Sequence, residues 1–157
     1  MADSIEARVQ RLEDLEAIRR LLLDYRRHLD GKDFRAYADL FAADGEFIAG
    51  TQDEIRARGR EGIFALVDGM RGTLLTDRGG DDVHVAVNEV IELDGDRATV
   101  SSTWVYLVRT DGDLPEVSKI GHYEDVVTRE GGRWKFQRRR APTSSSAAAS
   151  VASERSA

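Results

Sequence analysis

The sequence contains no cysteine, so disulfides and thiol nucleophiles are excluded. It has only three histidines, His28, His84 and His122, with no HExxH-type spacing. That argues against a zinc site built by the protein, and no metal is expected. No apolar run approaches the length that spans a bilayer. The N-terminus, "MADSIEARVQRLED", is charged from the start and lacks the apolar segment of a secretory leader. No membrane association is expected, and the expected compartment is the cytoplasm. A basic surplus is missing too, because the formal net charge is −6. The one basic cluster, Arg138 to Arg140, is too small for a nucleic-acid footprint. What remains is ordinary: 157 residues, 41% of them hydrophobic, suit a single domain with one core.

Apolar residues recur in steps of three or four at Ile5, Val9, Leu12, Leu15, Ile18, Leu22, Tyr25 and Leu29. That spacing predicts a long amphipathic helix. Gly31 is placed as its stop, and Asp33 as the N-cap of a short helix over "FRAYADLF". "ADGEF" reads as a turn into a short strand, Glu46 to Ala49. "TQDEIRARG" reads as loop, and a third helix is expected from Glu61 to Met70. "RGTLLTDRGGDD" reads as a polar connection. After Val83 the period becomes two. "HVAVNEVIEL", "RATVSSTWVYLVR", "EVSKIGHYEDVVTR" and "RWKFQRRR" follow one another, joined by Asp-Gly or Gly-Gly signals. They read as a four-stranded antiparallel meander. Helices first and strands later argue for an α+β fold with helices on one sheet face. From Ala141 onward the chain is small, polar and patternless. A domain over residues 1–141 and a disordered tail over 142–157 are expected.

Strand parity sorts the side chains by face. His84, Ala86 and Asn88 share one side of the first meander strand. Val83, Val85, Val87, Ile91 and Leu93 lie mostly on the other. Ala98 to Val108 at even positions share a side of the second strand, as do Gly121, Tyr123, Asp125 and Val127 on the third, and Trp134 and Phe136 on the fourth. An inner face carrying Trp104, Tyr106 and Tyr123, closed by helices, suits an apolar small-molecule pocket. The same aromatics could equally fill a core. His84 reads either as a hydrogen-bonded strand-end residue or as a base at the pocket mouth. His122 is expected to point outward and His28 to be solvated.

One residue sits against the local grain. Asp30, in "LLLDYRRHLDGKDF", puts a negative charge where a helix C-terminus already carries partial negative charge, at a cost of about 0.3–1 kcal/mol. Burial would disfavour its ionised form further unless a cation answers it.

Taken together, the long helix ending in "Y…LDGKDF", then "Y..LFAADGEF", "GREGI", "H…N…I.LDGDRA", "G.Y.D" and "GRWKF" resemble the SnoaL-like branch of the nuclear transport factor 2-like superfamily. The resemblance covers roughly Ile5 to Arg140. It implies a cone-shaped α+β barrel, three helices packed on a strongly curved, mostly antiparallel sheet around a deep pocket. It also implies a homodimer formed through the outer sheet face. Within the branch, the chain looks most like the lyases typified by scytalone dehydratase, bile-acid 7α-dehydratase and the dehydrochlorinases. The resemblance makes Asp30 and His84 a catalytic pair with Tyr25 one helical turn before Asp30. It also sets Arg129 near an arginine that the dehydrochlorinases use. The second acid or base of some of these lyases has no counterpart, because Tyr106 and Val108 occupy that neighbourhood.

The chemistry implied is elimination or isomerisation without a cofactor. A neutral imidazole, unperturbed pKa about 6.5, removes a proton near working pH. A neighbouring carboxylate fixes its tautomer and stabilises the imidazolium, and a phenol polarises oxygen. Catalysis is therefore expected of Asp30, His84 and Tyr25. Contact with a small apolar or polycyclic organic ligand is expected of Trp104, Tyr106, Tyr123, Asn88, Arg129 and Phe41. Two other readings stand beside this one. The first is a polyketide-cyclase-like or epoxide-opening enzyme, the latter resting on Asp125. The second is a non-catalytic ligand-binding module.

Overall fold

The computed structural model describes residues 4–71, 82–109 and 114–143. Ser4 starts the first helix, α1 (Ile5–Asp30), by accepting a hydrogen bond from the Ala7 amide at 3.1 Å. Ile18, Leu21, Leu22, Tyr25 and Leu29 are buried along its second half. The apolar stripe continues into the first three turns but is not covered there, and Ile5 and Leu12 are 73% and 64% exposed. The helix ends as expected at Asp30, yet the left-handed residue is Lys32 (φ 58°) rather than Gly31 (φ −75°). Gly31 is required for space, because a Cβ there would lie 2.8 Å from the Arg27 carbonyl oxygen. Asp33 then caps α2 (Phe34–Asp39) through the Ala36 amide. The third helix is α3 (Gly59–Gly69).

The strands are β1 (Phe41–Gly50), β2 (Ile55–Arg58), β3 (Val83–Asp94), β4 (Arg97–Arg109), β5 (Pro115–Glu130) and β6 (Arg133–Pro142). They form one sheet in the order β2-β1-β6-β5-β4-β3. Every neighbouring pair is antiparallel except β1 with β6. The four-stranded meander and the α+β class are as the sequence reads. The sheet is open, with β2 and β3 at its edges, so the barrel does not close. Strand β2 lies where a loop was expected. It has four residues, two of them outward arginines and the others half-buried Ile55 and Ala57. So short and charged an edge leaves little apolar signal. At the other end, Pro142 still belongs to β6 and Thr143 bridges to Gly121. The rest of the expected tail and most of the connection between α3 and β3 lie outside the described residues.

Register shifts decide which side chains reach the inner face. In β3 the pairing with β4 slips between Val87 and Val90, and Asn88 takes φ 58°. A bulge of this kind reverses parity. His84 and Ala86 lie opposite Tyr106 and Trp104 before it, while Ile91 and Leu93 lie opposite Val100 and Ala98 after it. Ile91 and Leu93 therefore pack against the core, not on the outer face that strict alternation assigns them. In β6 a second slip skips Gln137. Trp134 and Phe136 face inward before it, and Arg139 and Ala141 after it.

Candidate functional site

The C-terminus of α1 and the start of β3 meet at Asp30 and His84. The Asp30 carboxylate accepts from the His84 backbone amide at 3.0 Å through Oδ2, and its Oδ1 lies 2.6 Å from the imidazole Nδ1. One carboxylate thus holds both the backbone and the ring of the same residue. The imidazole stacks on Tyr106, its direct partner on β4, with centroids 4.5 Å apart and planes 28° apart. Tyr106 donates in turn to Asp82 at 3.1 Å. Both members of the pair are largely shielded, with side chains 13% (His84) and 21% (Asp30) exposed. With Nδ1–H donated to Asp30, the imidazole lone pair resides on Nε2.

His84 lines a cavity of about 810 Å3. Tyr25, Trp104, Tyr106 and Tyr123 line it as well, together with Leu29, Phe47 and Val67. The volume lies in the range that accepts a drug-sized organic molecule. Tyr37 also lines it, and donates a hydrogen bond to the Tyr25 hydroxyl at 2.9 Å. Burial pushes the pKa of Tyr25, Tyr37 and Tyr123 above the ordinary phenol value, so all three stay protonated.

Behind these tyrosines lies a buried cation. Arg139 is 1% exposed, with its guanidinium 3.8 Å from the Tyr25 ring centroid and 3.7 Å from that of Tyr123. Its Nη2 lies 3.1 Å from Asp125 Oδ2. Desolvation raises the Asp125 carboxyl to about 7 despite that neighbour. Arg139 stays protonated, because attraction to Asp125 and the tyrosines outweighs the cost of its burial. Neither residue is among those lining the cavity.

Three of the residues expected at the pocket lie elsewhere. Phe41 is fully buried in the core, 5.3 Å from Phe136 centroid to centroid. Asn88 sits exposed in the β3 bulge, which turns it away from the face His84 occupies. Arg129 lies at the end of β5, bonded to Asp14 at 2.6 Å and Asp96 at 2.7 Å and set against Trp134. Sequence reading overlooked Tyr37 and Lys119 on the cavity wall and Arg139 behind it. Tyr37 was detectable as part of the apolar stripe Phe34–Tyr37–Ala38. Arg139 was not, because no local signal announces the bulge at Gln137. Among the described residues, no group of three or more His, Asp or Glu side chains could hold a metal, and no helix is long and apolar enough to cross a membrane.

The SnoaL-like domain model matches residues 10–140 of the chain. Among solved structures, a nuclear transport factor 2-like protein with a cystatin-like fold from Novosphingobium aromaticivorans is 27% identical. Its TM-score is 0.82 and the match covers 97% of both chains. A candidate scytalone dehydratase from the same organism is 30% identical, with a TM-score of 0.69 over 85% of each chain. ActVI-ORFA from Streptomyces coelicolor is 23% identical, with a TM-score of 0.70 over 82% of this chain and 96% of that one. No curated protein matches.

Proposed function

We propose, from the premise that the chain belongs to the SnoaL-like domain family, that it is a cofactor-independent lyase or isomerase of the dehydratase type. The observation that carries this reading is the 2.6 Å contact between Asp30 and the His84 imidazole at the wall of an apolar cavity. Asp30 fixes the tautomer that leaves Nε2 free, and stabilises the imidazolium once it forms. His84 Nε2 takes a proton from carbon, and the C–H electron pair becomes the new π bond. In a dehydration the C–O bond breaks, and the departing hydroxyl takes that proton back to leave as water. In an isomerisation the proton returns to a second carbon. Either way the enzyme ends unchanged. Tyr25 already accepts from Tyr37, so its own proton is directed to a substrate oxygen, where it offsets developing negative charge. The likeness to a candidate scytalone dehydratase supports the same class.

An epoxide-opening mechanism would need Asp125 open to the substrate. That carboxyl lies outside the cavity lining, paired with Arg139, so the dyad reading is preferred. The test is a panel of hydroxylated and keto-bearing apolar compounds followed by mass spectrometry for loss of water. His84→Ala and Asp30→Asn should each abolish turnover with unchanged circular dichroism. An active His84→Ala protein overturns the proposal. We further propose a homodimer through the outer sheet face, supported by exposed Val85, Val87 and Val90. Light scattering of Val87→Lys should then report a monomer, and an unaltered mass would remove that face as the interface.

A further inference from the structure

The charged groups of the cavity are unevenly placed. Lys119 is the one lysine or arginine among the described residues that line it. The pairing register sets it in a straight row with the dyad: His84 on β3 lies opposite Tyr106 on β4, and Tyr106 lies opposite Lys119 on β5. Directly paired residues project from the same face. Two strand spacings separate the ends of the row, so the Lys119 and His84 Cα atoms are about 10 Å apart. Among the described residues no carboxylate lies within ion-pair distance of Lys119. Glu54, the carboxylate on the lining, accepts from the Gln52 amide at 2.8 Å and the Thr51 amide at 3.3 Å. Its charge is committed to that turn. The cavity thus has a proton-transfer group on β3, apolar walls, and an uncommitted ammonium on β5.

We propose that Lys119 receives an anionic group of the substrate. On this view the substrate is an amphipathic organic acid. Its reacting carbon lies at His84, and a carboxylate or equivalent anion lies one to two ring widths away on β5. This rests on the reading that the cavity is the substrate site with His84 at its reactive end. Lys119 acts on recognition, so its loss should raise KM and spare kcat. A lysine acting on charge that develops during the reaction would lower kcat instead.

The experiment needs no substrate. Anilinonaphthalene sulfonate and N-phenylnaphthylamine share a skeleton and differ by one anionic group. Each is titrated into the full-length protein, with the amide shifts of Ala49 and Tyr123 locating the bound probe. Lys119 is exposed at the cavity edge, so Lys119→Gln should weaken the sulfonate by about fivefold at most, as for an exposed ion pair, and leave the neutral probe unchanged. Lys119→Arg should keep the preference. Equal weakening of both probes, no change in either, or shifts confined to the outer sheet face would each overturn the assignment. Binding of these probes involves no turnover. An active His84→Ala protein would end the dyad reading and leave the probe result standing, and a failed probe result would leave turnover untouched.

Discussion

Asp30→Asn is the perturbation whose outcome follows most directly from the geometry. One carboxylate accepts two N–H groups of His84, at 3.0 Å from the backbone and 2.6 Å at Nδ1. An amide offers one oxygen in place of two, and an NH2 in place of the other. If the oxygen keeps the backbone amide, the NH2 faces Nδ1 and drives the ring proton to Nε2, which can then no longer accept a proton from carbon. If the ring keeps its tautomer, the backbone amide faces another donor and loses its partner. The first arrangement exchanges two charge-assisted hydrogen bonds for neutral ones, and the second leaves a shielded donor unmet; either costs about 1.5–3 kcal/mol. With both side chains still partly wet, a loss of about 2 kcal/mol is expected. For a chain of this size that lowers Tm by about 4–8 °C. Turnover of any substrate that His84 deprotonates should fall by at least about a thousandfold. Long-range proton–nitrogen correlation on the His84 ring reads the tautomer directly, and a thermal melt reads the rest. An Asp30→Asn protein with Nε2 still unprotonated and Tm within a degree of the parent would refute the clamp.

Three further outcomes are expected. Burial holds the Asp125 carboxyl near 7 against an ordinary 3.8, so the folded chain keeps a proton that the unfolded chain releases between those values. Its contribution to stability is complete below the lower value and is lost as pH rises through the upper one. Asp125→Asn, neutral at every pH, should flatten that fall in Tm, and an unchanged slope would contradict the burial argument. Arg129→Ala breaks the contacts to Asp14 and Asp96. It should cost about 1–3 kcal/mol in a denaturant titration while leaving binding of the naphthylamine probe intact; weaker binding at unchanged stability would return Arg129 to the pocket. At Gly121 a Cβ would lie 2.3 Å from the Pro142 carbonyl oxygen and 2.4 Å from the Trp104 ring. Gly121→Ala should therefore destabilise by about 1–3 kcal/mol and shift Trp104 emission, whereas a wild-type melt would mean the strands separate there at no cost.

Much of this architecture was legible in the sequence, and the failures share a cause. Period-two alternation and Asp-Gly or Gly-Gly turns located all four meander strands. The inward set on β4, from Ala98 to Trp104 and Tyr106, came from parity alone, because β4 itself alternates without a bulge over that span. Parity failed where the register slips. The bulge at Asn88 moved Ile91 and Leu93 inward, and the one at Gln137 brought in Arg139. A bulge is stabilised by pairing with a neighbouring strand, so it leaves no local mark in composition. Asp30 could be singled out because its charge opposes the helix end, an imbalance visible in one dimension. Its meeting with His84, 54 residues later, depends on how α1 crosses the sheet. Spacing alone set Arg129 at the site, and three-dimensional packing gave it to Asp14 instead.

The parallel pairing of β1 with β6 bears on how the site comes into being. Its strands are joined by contacts between distant parts of the chain, such as Gln137 to Asp44, 93 residues apart. The β3–β4–β5 hairpins can form from nearby segments and set His84 against Tyr106, whereas Asp30 reaches His84 across 54 residues. Strand β6 joins β5 through a tight turn, so the long closure is that of β1 onto β6, which is entropically slow. Phe47 and Ala49 reach the cavity wall only with it. The cavity therefore lacks one wall until these distant strands meet, and ligand binding, which needs that wall, reports on whether the pairing is complete.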